Sequence, residues 1–152
     1  MQSPGDEFFQ DLDYYLSKLV IATRLFNKAR KVHGRLSFPA PPEDYQSLSR
    51  TFKPWQKSAS GNYFQGQVGT NDQMDGKGIM LVPMSHMVIG HYKNGRSHGQ
   101  FIQLDKDGEK WTGDCKDGAK DGRIVRTTKD GSESVFIYSK GKKIGKEGCT
   151  IF

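Results

Sequence analysis

The chain has 152 residues, of which 34% are hydrophobic and 18 are glycine, so it has room for one folded domain with a thin, turn-rich core. Its formal charge of +6 favours acidic partners such as anionic lipid, nucleic acid or an acidic protein. No apolar run approaches the roughly 18 residues of a membrane-spanning helix, and no secretory signal pattern begins the chain, which predicts a cytosolic protein.

Residues 1–33 are predicted to contain an amphipathic helix. Apolar residues recur every three or four positions from Phe8 to Phe26, acidic residues stand in the first turn, and basic residues precede Gly34. Two interpretations stay open. Either the helix packs on the sheet that follows and shields its apolar face, or it docks onto a partner or a membrane surface. Residues 34–60 contain a proline-rich run, which predicts an extended connector.

Residues 61–145 contain glycines that repeat at a fixed period. Four series of glycines are each spaced by 23 residues: Gly76, Gly99, Gly122 and Gly145; Gly95, Gly118 and Gly141; Gly90 and Gly113; and Gly108 and Gly131. Such a period is typical of repeat architectures, in which each unit is one supersecondary element. Asn or Asp precedes several of the glycines, as at Asn94 and Asp117, and these pairs accept positive φ and close tight hairpins. The pattern predicts about 3.5 units of β-hairpin.

Alternation along the predicted strands places bulky residues and glycines on one face of a sheet. The first strands of successive units carry there Phe64, Gly66 and Val68; Val88, Gly90 and Tyr92; and Trp111, Gly113 and Cys115. A bulky side chain two residues before a glycine can lie over bare backbone, and stacked hairpins support one another. We therefore predict a mainly β fold, namely an elongated single-layer antiparallel sheet of tandem hairpins with an N-terminal amphipathic helix.

This array resembles the MORN (membrane occupation and recognition nexus) repeat, whose unit reads roughly Tyr-x-Gly, a spacer, Gly-x-Gly and a closing Asp-Gly. The residues that define the repeat here are Phe64, Gly66, Gly76, Gly78, Gly90, Tyr92, Gly99, Trp111, Gly113 and Gly122. The chain departs from the pattern at Val88, which replaces an aromatic residue, and at Phe101 and Ile124, which replace the second Gly of Gly-x-Gly. The fourth unit is degenerate, as expected of a capping repeat.

The resemblance implies a non-catalytic scaffold or adaptor whose protein partners include cytoskeletal proteins. It also implies an alternative, a regulatory or targeting subunit of an enzyme on another chain, because MORN arrays occur beside lipid kinase and methyltransferase domains. A homodimer formed through the sheet is left open. Nucleic-acid binding is the least favoured alternative, because the aromatic residues fall at inward positions where bases could not stack on them.

Residues 146–152 are predicted to form a basic tail with an end that resembles a prenylation box. Cys149 is fourth from the end, and a terminal Phe belongs to the geranylgeranyl side of that rule. The lysines predicted to contact an anionic membrane surface are Lys140, Lys142, Lys143 and Lys146. A lipid chain together with a basic cluster anchors a protein stably, whereas one chain alone holds it weakly. We therefore expect the protein at the cytosolic face of a membrane, with a chance match as the alternative.

The sequence predicts no catalytic residues, no metal site and no cofactor. Its four histidines lack a spacing that pairs one of them with a Ser or Cys nucleophile. Cys115 falls on the inward side of its strand beside Trp111, as a small core residue would. The segment 105–108 lacks the remaining ligand positions of a calcium loop, and a hairpin turn explains it better.

Overall fold

The computed structural model describes residues 20–34, 36, 38–45 and 50–150. Within this part of the chain, one helix is followed by nine strands: α1 (Val20–His33), β1 (Thr51–Lys57), β2 (Tyr63–Val68), β3 (Met74–Val82), β4 (His86–Lys93), β5 (Arg96–Asp105), β6 (Lys110–Lys116), β7 (Ala119–Thr127), β8 (Glu133–Ser139) and β9 (Lys142–Thr150). The strands form one antiparallel sheet in the order β1 to β9, so each strand pairs with its neighbours in the sequence. The prediction of a mainly β fold, an open antiparallel sheet built from successive hairpins, is confirmed.

Tight two-residue turns join the strands at one end of the sheet. Asn94 and Gly95 have φ of 51° and 81°, and the equivalent residues 23 and 46 positions later in the sequence also have positive φ. This is the geometry of a type I′ turn, whose twist matches the flanking strands. In each turn the glycine N–H donates to a carbonyl of the preceding hairpin at 2.9 Å: Gly95 to Met74, Gly118 to Ser97, and Gly141 to Lys120. The period of the sequence is therefore also a period of hydrogen bonds between successive units.

The turns at the opposite end of the hairpins, which contain the Asp-Gly pairs 107–108 and 130–131, are longer than two residues. Gly108 has a φ of 87°, but Asp107 before it does not have a positive φ. The Gly108 N–H donates to the carbonyl of Asp105 at 3.0 Å, and the same bond recurs between Gly131 and Thr128 at 3.1 Å. A type I turn followed by a left-handed glycine fits these bonds. An Asp-Gly pair alone does not choose between the two turn types, because Asp also favours the first positions of a type I turn.

The core lies between α1 and the strands β3, β4 and β5. Its buried members are Phe26, Ala29, Leu36, Ile79, Leu81, Met87, Ile89 and Leu104. The register pairs Ile79 with Ile89 and Leu81 with Met87, so these four side chains share one face of the sheet. We call it the helix face and the opposite side the open face. The described part of the predicted helix thus packs on the sheet, and the predicted helical residues before Val20 lie outside the described residues.

The sheet extends past the predicted array at both ends. β1 (Thr51–Lys57) lies within the predicted connector 34–60, and β9 (Lys142–Thr150) crosses from the array into the predicted tail 146–152. Both are edge strands. Pro54 is tolerated in β1 because an edge strand can leave one backbone position unpaired, and the lysines of β9 are typical of an edge that resists further strand pairing.

Candidate functional site

The open face carries the aromatic and glycine residues that define the repeat. The ring of Phe64 lies over the backbone of two glycines, since a Cβ placed on Gly78 would stand 2.7 Å from Phe64 Cε2, and one placed on Gly66 would stand 3.0 Å from Phe64 Cζ. The rings of Phe64 and Tyr92 meet edge to face with their centroids 5.6 Å apart. The glycines leave the space that these rings fill.

Phe101 and Ile124, which depart from the MORN pattern, are compensated by glycines on neighbouring strands. The sheet register places Phe101 between Gly90 on β4 and Gly113 on β6. Phe101 is 3% exposed and Ile124 is 0% exposed. A Cβ on Gly113 would stand only 2.5 Å from Ile124 Cδ1, so each large side chain occupies the space that its neighbouring glycine leaves free. A large side chain on one strand thus packs into the space left by a glycine on the neighbouring strand, and the open face stays closely packed.

Basic side chains lie over aromatic rings at the β6 to β9 end of the open face. Trp111 and Phe136 stack with ring centroids 5.9 Å apart and an interplanar angle of 25°. Lys120 Nζ lies 4.7 Å from the Trp111 centroid, and Lys143 Nζ and Lys146 Nζ lie 4.3 and 5.6 Å from the Phe136 centroid. These distances are within the range of cation–π contact. We call these five residues the aromatic–lysine cluster.

Pairing between β8 and β9 assembles one side of the cluster. The register sets Phe136 opposite Lys146 and Tyr138 opposite Lys143. Cross-strand partners on one face have Cβ atoms about 5 Å apart, so both lysine stems reach the Phe136 ring. Phe136 is only 7% exposed although it lies on the strand next to the sheet edge, because aliphatic lysine stems cover apolar surface while their charged ends stay in water.

Trp111 is also held in place by hydrogen-bonded polar residues outside the cluster. Its Nε1–H donates to Asp105 Oδ2 at 2.9 Å. Arg126, whose guanidinium carbon lies 5.7 Å from the Trp111 centroid, donates two hydrogen bonds to Glu109, at 2.5 and 2.6 Å. The hydrogen bond from Arg126 lowers the pKa of the Glu109 carboxyl, which therefore stays charged at neutral pH. The charge of Arg126 is thus balanced within the protein.

The three lysines of the cluster have no such counter-ion among the residues that the structure describes. Across the described ranges, no carboxylate forms a salt bridge with Lys120, Lys143 or Lys146. Three positive charges therefore stand close together over aromatic rings. Such an arrangement attracts anionic groups, because an anion gains charge-assisted hydrogen bonds from ammonium groups that are already in position.

The structure does not bring all four predicted membrane-binding lysines together. Lys143 and Lys146 share the open face, but Lys142 directly precedes Lys143 in β9 and so points to the opposite side. Lys140 lies in the turn before β9, with a φ of 49°. Cys149, the predicted lipidation site, lies in β9 in register with a residue of β8. The predicted basic cluster is therefore divided between the two faces and a turn.

Lys120 is a member of the cluster that the sequence prediction missed. It lies on β7, far in sequence from the predicted tail. One signal could have found it, because Lys120 and Lys143 are 23 residues apart and so occupy the same position in successive units. Equivalent positions of a repeat stack next to one another in the folded array.

Two residues that could take part in proton or nucleophile chemistry are held neutral. Burial lowers the pKa of His91 to about 4 and raises the pKa of the Cys115 thiol to about 11. At neutral pH the imidazole is uncharged and the thiol is protonated, and a protonated thiol is a poor nucleophile. In the part of the chain that the structure describes, no group of three or more His, Cys, Asp or Glu could hold a metal ion.

No helix among the described residues is long and apolar enough to cross a membrane. Neither a protein-family model nor a curated protein matches the sequence. The resemblance to MORN repeats therefore stays a prediction from the 23-residue period and from the aromatic and glycine residues of the repeat.

Proposed function

We propose that the chain is a non-catalytic MORN-type scaffold that binds a protein partner on the open face of its sheet, at the cytosolic side of a membrane. The observation that supports the proposal best is the open face itself. Helix α1 and the connector residue Phe38 pack on the helix face, whereas Met80 and Val88 on the open face stay partly exposed. Contiguous exposed apolar surface with a polar rim is typical of protein interaction sites.

The shape of this surface favours an elongated partner segment. The nine strands are hydrogen-bonded in one row, and neighbouring strands are about 4.8 Å apart, so the face extends roughly 40 Å across the strands. Extended surfaces of this kind are what repeat proteins use for binding. A hydrogen-bonded sheet also presents its side chains in a fixed arrangement, which limits the entropy lost on binding.

Two glutamate substitutions test the proposal. Val88→Glu places a charge in the middle of the open face, and Ile144→Glu, at a side chain that is 66% exposed in the edge strand β9, is the control. In affinity purification from the native cell, we expect the wild type and Ile144→Glu to recover the same partner and Val88→Glu to lose it. Equal recovery by all three proteins, with unchanged circular dichroism, would contradict binding on this face. A stoichiometric catalytic partner would favour the regulatory-subunit alternative.

The membrane part of the proposal depends on prenylation of Cys149, which stays a prediction. Cys149 is in the last part of an edge strand, and strand ends open at low free energy, so the segment can become available to a modifying enzyme. Cys149→Ser is expected to move the protein from the membrane fraction to the soluble fraction. The native protein should show, by intact mass, loss of three residues and gain of an isoprenoid. An unmodified mass, or unchanged partition of Cys149→Ser, would contradict anchoring.

A further inference from the structure

We infer that the aromatic–lysine cluster anchors an acidic segment of the protein partner, and that Lys143 and Lys146 bind peptide carboxylates and not a membrane surface. This inference rests on the proposed function, because it assigns a partner chemistry to one end of the same open face. It also reassigns two lysines that the sequence attributes to membrane contact.

The cluster offers positive charge that is already positioned. Each ammonium group lies within 4.3 to 5.6 Å of a ring centroid, so the lysine side chains are folded onto the sheet. An ammonium group has three N–H donors, and contact with a ring on one side leaves donors for an anion on the other. Less side-chain freedom is then lost when a carboxylate binds.

The position of these lysines fits a peptide better than a flat lipid surface. Lysines that reach an anionic bilayer extend away from the protein, whereas those of the cluster lie against Trp111 and Phe136. Lys120 on β7 and Lys143 on β9 are two strands apart, a separation of roughly 10 Å across the sheet. Carboxylates two or three residues apart on an extended peptide span a similar distance, because an extended chain rises about 3.3 Å per residue.

The remainder of the open face defines the other end of the partner segment. Toward β2, β3 and β4 the partly exposed side chains of this face include Phe64, Met80 and Val88, which are apolar. The carboxylate of Asp105, which accepts a hydrogen bond from Trp111, would repel acidic groups of the partner and direct them toward β7 to β9. The segment is therefore acidic at one end and apolar at the other. From β3 to β9 it covers six strand spacings, roughly 29 Å, or about nine extended residues.

Two triple variants of equal charge test the inference. The cluster variant is Lys120→Gln, Lys143→Gln and Lys146→Gln. The control variant is Lys106→Gln, Lys110→Gln and Lys129→Gln, which removes the same charge from β6 and from two turns. The probe is a labelled synthetic peptide of about 12 residues with glutamates at one end and leucines at the other, and its matched control carries glutamines in place of the glutamates. Anionic vesicles that contain phosphatidylserine form a second arm.

For the peptide we expect at least a tenfold loss of affinity in the cluster variant and less than a threefold loss in the control variant. The glutamine peptide should bind the wild type at least tenfold more weakly than the glutamate peptide. A Trp55→Phe background leaves Trp111 as the only tryptophan, and its emission should change when the glutamate peptide binds. Because the control variant carries the same net charge, a general electrostatic effect would move both variants equally and overturn the inference.

The vesicle arm separates this inference from the membrane assignment. If Lys143 and Lys146 bind peptide, the two triple variants lose vesicle binding to the same extent. Selective loss of vesicle binding in the cluster variant, or no binding of the glutamate peptide to the wild type, would overturn the inference. The proposed function would still stand in either case if Val88→Glu alone loses the native partner, so the two failures can be told apart.

Discussion

Replacing Gly90 by alanine tests whether close approach of neighbouring strands is what the repeat glycines provide. A Cβ at this position would stand 2.8 Å from the carbonyl oxygen of Gln100 and 3.3 Å from Phe101 Cα. Both are backbone atoms of β5, so no rotamer change relieves the contact and the strands must move apart. The φ of Gly90 is not positive, so alanine adds no dihedral strain there and the substitution reports on packing alone.

The expected loss of stability follows from two opposing effects. Forcing one more methyl group into a packed site destabilises a protein by about 1 to 3 kcal/mol. Replacing glycine by alanine also reduces the entropy of the unfolded chain, which stabilises the folded state by about 0.4 to 1 kcal/mol. The net result for Gly90→Ala is a free energy of unfolding lower by about 1 to 2 kcal/mol. For a domain of this size, that lowers the melting temperature by roughly 2 to 8 °C, measurable by circular dichroism.

Gly145→Ala is the matched control. Gly145 is also a strand glycine without positive φ, but a Cβ there would stand 3.8 Å from Ile137 Cβ, an ordinary van der Waals distance. Its melting temperature should equal that of the wild type or rise slightly. If Gly90→Ala and Gly145→Ala unfold at the same temperature, close approach of β4 and β5 is not what the repeat requires at Gly90.

Two further predictions concern the helix face. Ile89 is 0% exposed, so Ile89→Ala should lower the free energy of unfolding by about 2 to 5 kcal/mol. Val88→Ala, on the opposite face, should lower it much less. Equal losses in urea denaturation would contradict the assignment of the two faces. The pKa of buried His91 is about 4 in the folded protein and about 6.5 in the unfolded chain. Between pH 6.5 and pH 4, His91 is therefore protonated in the unfolded chain but not in the folded protein. The stability that neutral His91 contributes is complete above pH 6.5 and decreases by up to about 3 kcal/mol through that window. His91→Gln should therefore weaken the fall in urea midpoint between pH 7 and pH 5, and an unchanged fall would show that another group is responsible.

The sequence determines the repeat and the class of fold, because both depend on local backbone preferences. The pair Asn94 and Gly95 accepts positive φ at both positions, and this preference acts within two residues. These turns alternate with the Asp-Gly turns at Gly108 and Gly131, so only about ten residues lie between successive turns, which is room for a strand but not for a long helix. The open sheet of successive hairpins follows from these facts alone.

Tertiary structure decides which residues meet on each face. The sequence around Pro54 and around the lysines of β9 does not show a strand pattern. These segments become the two edge strands of the sheet because β1 pairs with β2 and β9 pairs with β8. The aromatic–lysine cluster joins side chains from four strands, and only the register of those strands places Lys120 beside Trp111 and Lys146 beside Phe136. A local preference can set a turn, but contact between distant residues depends on the packing of the whole sheet, since a one-residue slip would send each side chain to the other face.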